Sequence, residues 1–255
     1  MKFKTTPYHS DLLKDIGRLS VFFEAIEEYD LNNDLAYDLG CGSGILSYFL
    51  SSKFNEIISI EMDKKAYNCA KENLSDFKNI EVVNSDVLNY NFTKKADLIV
   101  CEMLDTALID EEEVTVLNHA KKFLKEDGVI IPQGIINTAE LVNLERHYVH
   151  WDENVNYLVL SKPIVYSSFN FKEDLNPEFK TNLRLKANNE GIVNGLKITT
   201  FTKLNENTIC GPTPMLNPPL LIPLDEKEVK VNDYIDVEIK YIMGKGIESI
   251  KTKYL

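Results

Sequence analysis

Two structural regimes follow one another along this chain: an α/β half on a mostly parallel sheet with helices on both faces, then an antiparallel β-rich half. Three observations predict them. Up to Pro132, short apolar runs alternate with amphipathic helical stretches, the pattern of strands buried on both faces and linked by helices. After Pro132 the period becomes two: LKITTFTK (196–203) and YIDVEIKYIM (234–243) alternate apolar and polar residues, as half-buried antiparallel strands do. The chain is also long enough, at 255 residues with 44% hydrophobic and 27% charged content, for one large domain or two small ones.

The elements are expected in this order. Residues 10–29 place Leu12, Leu13, Ile16, Leu19, Phe22, Phe23 and Ile26 at helical spacing. Strands follow at 35–39, 56–61, 80–83, 97–102 and 128–131, with helices at 44–53, 64–75 and 110–125 between them. In the second half, GPTPMLNPPLLIP (211–223) holds too much proline for a central strand and reads as a connection.

Charge narrows the partners. Asp and Glu number 40 against 28 Lys and Arg, a net of −12. Nucleic acid, held chiefly by cations on phosphates, is disfavoured as a substrate, and a cationic target is favoured. Cys41, Cys69, Cys101 and Cys210 are scattered without a C-x-x-C pair, and His147 and His150 lack a third ligand at motif spacing. Neither disulfides nor a metal site is therefore expected. No run of eighteen apolar residues occurs, and residues 1–18 carry no apolar signal core. The expectation is an intracellular, cytoplasmic protein without membrane contact.

The most informative segment is Asp38-Leu-Gly-Cys-Gly-Ser-Gly44, where a strand runs at once into glycines and a helix. Glycines let the backbone turn sharply and approach a ligand where a side chain would collide. The spacing is one residue short of the dinucleotide fingerprint. It resembles motif I of class I S-adenosylmethionine-dependent methyltransferases, whose loop covers the methionine portion of the cofactor. By that resemblance Asp38, Gly40, Cys41, Gly42 and Gly44 bind the cofactor. Glu61, at the next strand end, is placed for the ribose hydroxyls, with Met62 beside it. Asp86 after the third strand is placed to accept from the adenine amino group, with Val87 beside it. Read alone, an acid at a strand end is as readily a solvated charge.

Residues 9–18, HSDLLKDIGR, are similar to the N-terminal helix of protein arginine methyltransferases, H-x-x-[ML]-L-K-D-x-x-R. The likeness puts His9 near the cofactor and gives Arg18 the cofactor's carboxylate, through a bidentate pair. After the fourth strand, Cys101-Glu102 begins a loop that ends in Glu111. In that family two glutamates stand nine positions apart here and hold a guanidinium, and Glu102 and Glu111 have that separation. The plainer reading of Glu111-Glu112-Glu113 is a run of acids in the first turn of a helix, favourable for its dipole.

The resemblance has departures. Met-Leu-Asp follows Glu102 where the family has Trp-Met-Gly. The family's Thr-His-Trp loop falls near Thr213 but reads Thr213-Pro214-Met215, so the histidine that partners the aspartate equivalent to Asp15 is missing. The paired-tyrosine segment ahead of His9 has no counterpart, and no dimerisation arm is legible between about 150 and 180. Asn217-Pro218-Pro219-Leu220 looks like the N-P-P-[YF] motif of amino-group methyltransferases, but it lies far from the fourth strand and reads as a turn. Trp151 reads as packing.

Taken together, these residues imply a Rossmann-like methyltransferase domain over 1–132 and a β-barrel-like antiparallel substrate domain over 133–255. The expected enzyme uses S-adenosyl-L-methionine, with Glu102 and Glu111 as catalytic residues for a cationic side chain on a protein or peptide. It is expected as a monomer or a dimer unlike the family's. A methyltransferase for a small metabolite or RNA, and a catalytically silent cofactor-binding scaffold, are the alternatives.

Overall fold

A computed structural model describes residues 3–29, 33–151 and 156–255. The first half runs α1 (Pro7–Lys14), α2 (Ile16–Glu27), β1 (Asn33–Leu39), α3 (Ile45–Leu50), β2 (Phe54–Glu61), α4 (Lys64–Asn73), β3 (Ile80–Asn84), β4 (Ala96–Cys101), α5 (Glu113–Ala120) and β5 (Leu124–Ile131). The five strands pair in parallel in the order β3-β2-β1-β4-β5. Leu35–Leu39 of β1 are all buried, as a central parallel strand covered on both faces requires. The order reverses direction between β1 and β4. Their carboxyl ends therefore splay into a crevice, where ligands of open α/β sheets bind.

The expected helices are shorter than their patterns: 44–53 forms only Ile45–Leu50, and 64–75 only Lys64–Asn73. The helix expected at 10–29 breaks at Asp15, which ends α1 and caps α2 by accepting a hydrogen bond from the Arg18 N–H at 3.0 Å. Aspartate favours this cap because its carboxylate satisfies an N–H that the helix leaves orphaned. The helix expected at 110–125 begins only at Glu113 and ends in a single 3-10 turn at Lys121–Phe123. Leu124 already pairs with Ala96, while Leu98 pairs with Val129, so residues 125–128 bulge from the ladder.

The second half contains β6 (Gly134–Leu144), β7 (His150–Trp151), β8 (Tyr157–Val159), β9 (Ile164–Asn170), β10 (Glu178–Lys186), β11 (Gly191–Lys203), β12 (Ile209–Cys210), β13 (Leu220–Val229), β14 (Tyr234–Ile242) and β15 (Lys251–Tyr254). These strands form two antiparallel sheets: β7-β13-β11-β6-β8, with β12 on β11 and β9 on β6, and β10-β14-β15. The barrel expected here is not closed. Closure requires every edge strand to find a ladder partner. Among the described residues no ladder joins β10 or β15 to the larger sheet, and β15 is a short lysine-bearing edge of the kind that resists pairing. The sheets are joined through side chains instead: Leu183 and Leu185 of β10 and Val237 and Ile239 of β14 belong to the same apolar core as Ala139 and Leu141 of β6.

The proline-rich connection is also shorter than expected, because Leu220–Pro223 open β13. Leu220 and Leu221 pair on both sides, with β11 and with β7. Pro223 lies past the end of β7 and faces a register shift in β11 between Val193 and Gly195, where a missing N–H costs little. Asn217, Pro218 and Pro219 have no regular structure. Trp151 pairs with Leu220 and packs against the core; the rest of its neighbourhood, 152–155, lies outside the described residues. From 156 to 180 the described chain holds β8, β9 and the start of β10, with no helix.

Candidate active site

The crevice between β1 and β4 holds a cavity of about 220 Å³. Its floor is the glycine loop. The N–H groups of Gly40 and Cys41 both donate to the Ile60 carbonyl, at 2.9 and 3.0 Å. The Gly42 N–H donates to Glu61 Oε2 at 2.8 Å, and Glu61 Oε1 accepts from the Asp63 N–H at 2.7 Å. Glu61 thus ties the loop to the end of β2 and still lines the cavity beside the exposed Met62. Gly40 and Gly42 stand at φ +70° and +56°. A Cβ on Gly42 would lie 2.6 Å from His9 Cδ2, and one on Gly40 would lie 2.9 Å from Met103 Sδ. Only glycine lets the helix α1 and the loop after β4 approach so closely.

Asp38 lies beneath this floor rather than on the cavity wall. It is 1% exposed and accepts from the Ser47 hydroxyl, which also pairs with Ser59 Oγ at 2.7 Å. Burial pushes its carboxyl up to about 7, with the Ser47 hydrogen bonds opposing the shift. Gly44, at φ +88°, caps α3 and likewise does not line the cavity. Asp86 also stands apart. Its oxygens accept from the Leu88 N–H at 2.8 Å and the Asn89 side chain at 2.9 Å, capping a 3-10 turn that buries Val87.

The roof comes from α1 and α2. The His9 ring lies over Gly42, with Nδ1 paired to Thr6 Oγ1 at 2.6 Å, and burial lowers the imidazole below its ordinary range. The break at Asp15 turns Arg18 inward to the cavity, where it is 3% exposed and bonded through Nη2 to Glu102 Oε2. Its Nε and Nη1 are buried with no acceptor. Asp15 accepts from the Thr213 hydroxyl and from the Met215 N–H at 2.9 Å. Burial raises that carboxyl, but these bonds and the Arg18 N–H outweigh burial and hold it below its ordinary range. Asp15, left without a histidine partner, is thus held by a hydroxyl and a backbone amide.

Glu102 and Glu111 face the same cavity from the two ends of the loop after β4. Burial and the nearby Glu102 hold the Glu111 carboxyl above the usual range. The loop is heavily braced. Asp105, itself pushed up to about 7 by burial, accepts from the N–H groups of Ile109, Asp110 and Glu111 at 3.0, 2.9 and 3.3 Å. Ala107 and Leu108 both sit at φ +60°. They are held there by Thr200 Oγ1, which accepts from the Ala107 N–H, and by the Gly244 N–H, which donates to Leu108 O.

Sequence reasoning missed the burial of Glu113, which it read only as one acid in the first turn of a helix, where it does stand. Glu113 is fully buried, accepts from the Met103 N–H at 3.0 Å and is pushed up to about 8 by burial. Tyr8, Met103 and Met215 also line the cavity unforeseen; only the closeness of Tyr8 to His9 in sequence hinted at any of them.

Residues 19–153, more than half of the chain, match the family described as Ribosomal protein L11 methyltransferase (PrmA). The chain belongs to this methyltransferase family. An uncharacterized protein of Methanothermobacter thermautotrophicus is 45% identical over 255 residues, covering 100% of both chains. A ribosomal protein L11 methyltransferase of a Thermoanaerobacter species is 32% identical over 127 residues, 48% of this chain and 39% of that protein. The chain thus spans well under half of that relative. Among solved structures, the Trypanosoma brucei PRMT1 enzyme-prozyme heterotetrameric complex with AdoHcy has the same fold. Its TM-score is 0.81 at 15% identity, over 98% of this chain and 96% of that one.

The cofactor of this family member is S-adenosylmethionine. The residues present fit it. Arg18 offers buried N–H groups that no protein acceptor satisfies, which suits a carboxylate. Gly40, Cys41 and Gly42 line the cavity, so their backbone forms part of the wall that would meet the cofactor. Among the described residues no group of three His, Cys, Asp or Glu has metal-holding geometry, and no helix is long and apolar enough to cross a membrane.

Proposed function

We propose that this methyltransferase modifies a cationic nitrogen on a protein side chain. The observation that carries the reading is that Glu102 and Glu111 enter one cavity with Arg18 and the glycine loop. When bound, S-adenosylmethionine supplies a methyl on a sulfonium that is already an activated leaving group. The chain's own task is then proximity and orientation. Arg18 would hold the carboxylate, Gly40, Cys41 and Gly42 would carry the amino-acid portion, and Glu61 would add the ribose hydroxyls to the bonds it already accepts. His9 and Met62 would flank the cofactor. Asp38 and Gly44 would act from beneath the loop, and Asp86 with Val87 would border the adenine end.

Glu102 would position the acceptor nitrogen, and Glu111 would take the proton that nitrogen loses, its raised affinity suiting that part. We read 1–132 as the cofactor-binding unit and 133–255 as the unit that presents the acceptor, in a cytoplasmic enzyme. A protein acceptor is supported by the L11 methyltransferase relatives, and a ribosomal protein is one candidate. Guanidinium, the acceptor suggested by the arginine-type motifs, rests on the two glutamates.

The test is transfer of tritiated methyl from S-adenosylmethionine into host lysate, separated into protein, RNA and small-molecule fractions. Label is expected in protein, and hydrolysis then identifies the side chain. Label confined to RNA or to small molecules would overturn the reading, as would no transfer at all by folded enzyme.

A further inference from the structure

Arg18 faces two claims on a single positive charge. One claimant is present in the chain: Glu102 bonds to Nη2 in a pair that is almost wholly buried, with side-chain exposures of 4% and 9%. The other is the cofactor's carboxylate, for which the guanidinium keeps N–H groups at Nε and Nη1 that no protein acceptor satisfies. Asp15 also attracts the Arg18 charge through space, but its hydrogen bonds go to Thr213, Met215 and the Arg18 backbone N–H.

We propose that Arg18 is a coupling residue, shared between the cofactor's carboxylate and Glu102, so that filling of the cofactor site frees the charge of Glu102 for the acceptor. With the cofactor site empty, Arg18 offsets Glu102, and the carboxylates left to an incoming cation are Glu111 and Glu61, the latter already accepting two backbone N–H bonds. Once the carboxylate accepts from Nη1 at the end of the guanidinium, that group's charge is divided between two anions. Glu102 then presents more of its own negative charge to the cavity that it shares with Glu111. The acceptor cation is drawn in after the cofactor, which orders the two binding steps. This rests on the cofactor and acceptor roles proposed above, and it adds a linkage that neither role requires.

Linkage is reciprocal, so it can be read from the cofactor side without any acceptor. If Glu102 competes for Arg18, neutralising it strengthens the hold on a carboxylate. Glu102→Gln retains an oxygen that accepts from Nη2 and so keeps the geometry. Calorimetric titration would compare S-adenosylhomocysteine with 5′-methylthioadenosine, which has the same nucleoside but no amino-acid carboxylate. We expect Glu102→Gln to bind S-adenosylhomocysteine about fivefold to tenfold more tightly, within the usual span of coupling between sites. It should bind 5′-methylthioadenosine as wild type does. Glu111→Gln, which does not touch Arg18, should leave both affinities unchanged.

Weaker or unchanged binding of S-adenosylhomocysteine by Glu102→Gln would overturn the coupling, because Glu102 would then merely hold Arg18 in place. An equal gain for both nucleosides would overturn it too, since the effect would not pass through the carboxylate. Failure of folded wild type to bind either nucleoside would instead remove the cofactor-site reading itself, and the coupling with it.

Discussion

At the residue scale, the site depends on two kinds of group: glycines that leave room and carboxyls whose surroundings differ. Gly42 stands at φ +56° with the His9 ring against the place its Cβ would take. An L-residue in that conformation costs roughly 1–2 kcal/mol, and the ring must also move. Gly42→Ala should therefore weaken S-adenosylhomocysteine at least about tenfold by titration calorimetry. Adding His9→Gly should recover part of that loss, because it removes the collision and leaves only the backbone cost. At the acceptor end, Glu111→Gln keeps the shape but removes the charge and the proton acceptor. Methyl transfer to protein should fall by about a hundredfold or more, as for loss of a charged contact worth ~3 kcal/mol in the transition state. The same assay that detects the label measures this.

At the element scale, the loop from Glu102 to Glu111 is braced by hydrogen bonds along its length. Two successive residues at φ +60°, Ala107 and Leu108, are strained and persist only because neighbours over-determine them. Those neighbours come from both halves: Asp105 within the loop, Thr200 on β11, the Pro218 carbonyl that accepts from Thr106, and the turn after β14. In that turn Gly244 N–H donates to Leu108 O and Gly246 N–H to Ile109 O, at 3.0 and 2.9 Å. Gly244 is at φ +71°, and a Cβ there would lie 3.3 Å from Glu111 O. Gly244→Ala should thus speed amide hydrogen exchange across 105–111 and raise the acceptor KM several-fold, while S-adenosylhomocysteine affinity stays as in wild type. Asn232→Ala, at another left-handed position, φ 77°, serves as the control and should change stability alone.

At the scale of the whole molecule, buried carboxyls set how stability responds to pH. Glu113 is pushed up to about 8, and Asp38 and Asp105 up to about 7, each chiefly by burial. Their unfolded counterparts titrate near 4, so between about pH 4 and pH 8 the folded protein keeps protons that the unfolded chain releases. Stability must then fall as pH rises through that window and level off above it. Asp15 works in the opposite sense. Its lowered carboxyl stabilises the junction with Thr213 and Met215 above about pH 4, and the contribution is lost as pH falls below that value. Nucleoside-free protein should therefore have a higher urea midpoint at pH 5 than at pH 8. Glu113→Gln should flatten the difference, since ionising that buried carboxyl costs on the order of 5 kcal/mol.

Much of this was legible in the sequence, because periodicity and glycine spacing report on local constraints. The five parallel strands and the tight glycine turn after β1 follow from runs and spacings that few other conformations satisfy, whereas Glu61, Glu102 and Glu111, which line the cavity, were singled out through the resemblance. What only the tertiary structure decided concerns side chains brought together from distant segments. Glu113 shows no sign in sequence of being buried, since the helix turn it opens would accept it equally well in water. Arg18 and Glu102 were each assigned a ligand, and their bond to one another, 84 positions apart, arises because the break at Asp15 points α2 into the end of β4. The open second half was likewise undetermined by alternation, which specifies one buried face per strand. It does not say whether the outermost strands of a sheet find each other, and here β10 and β15 do not.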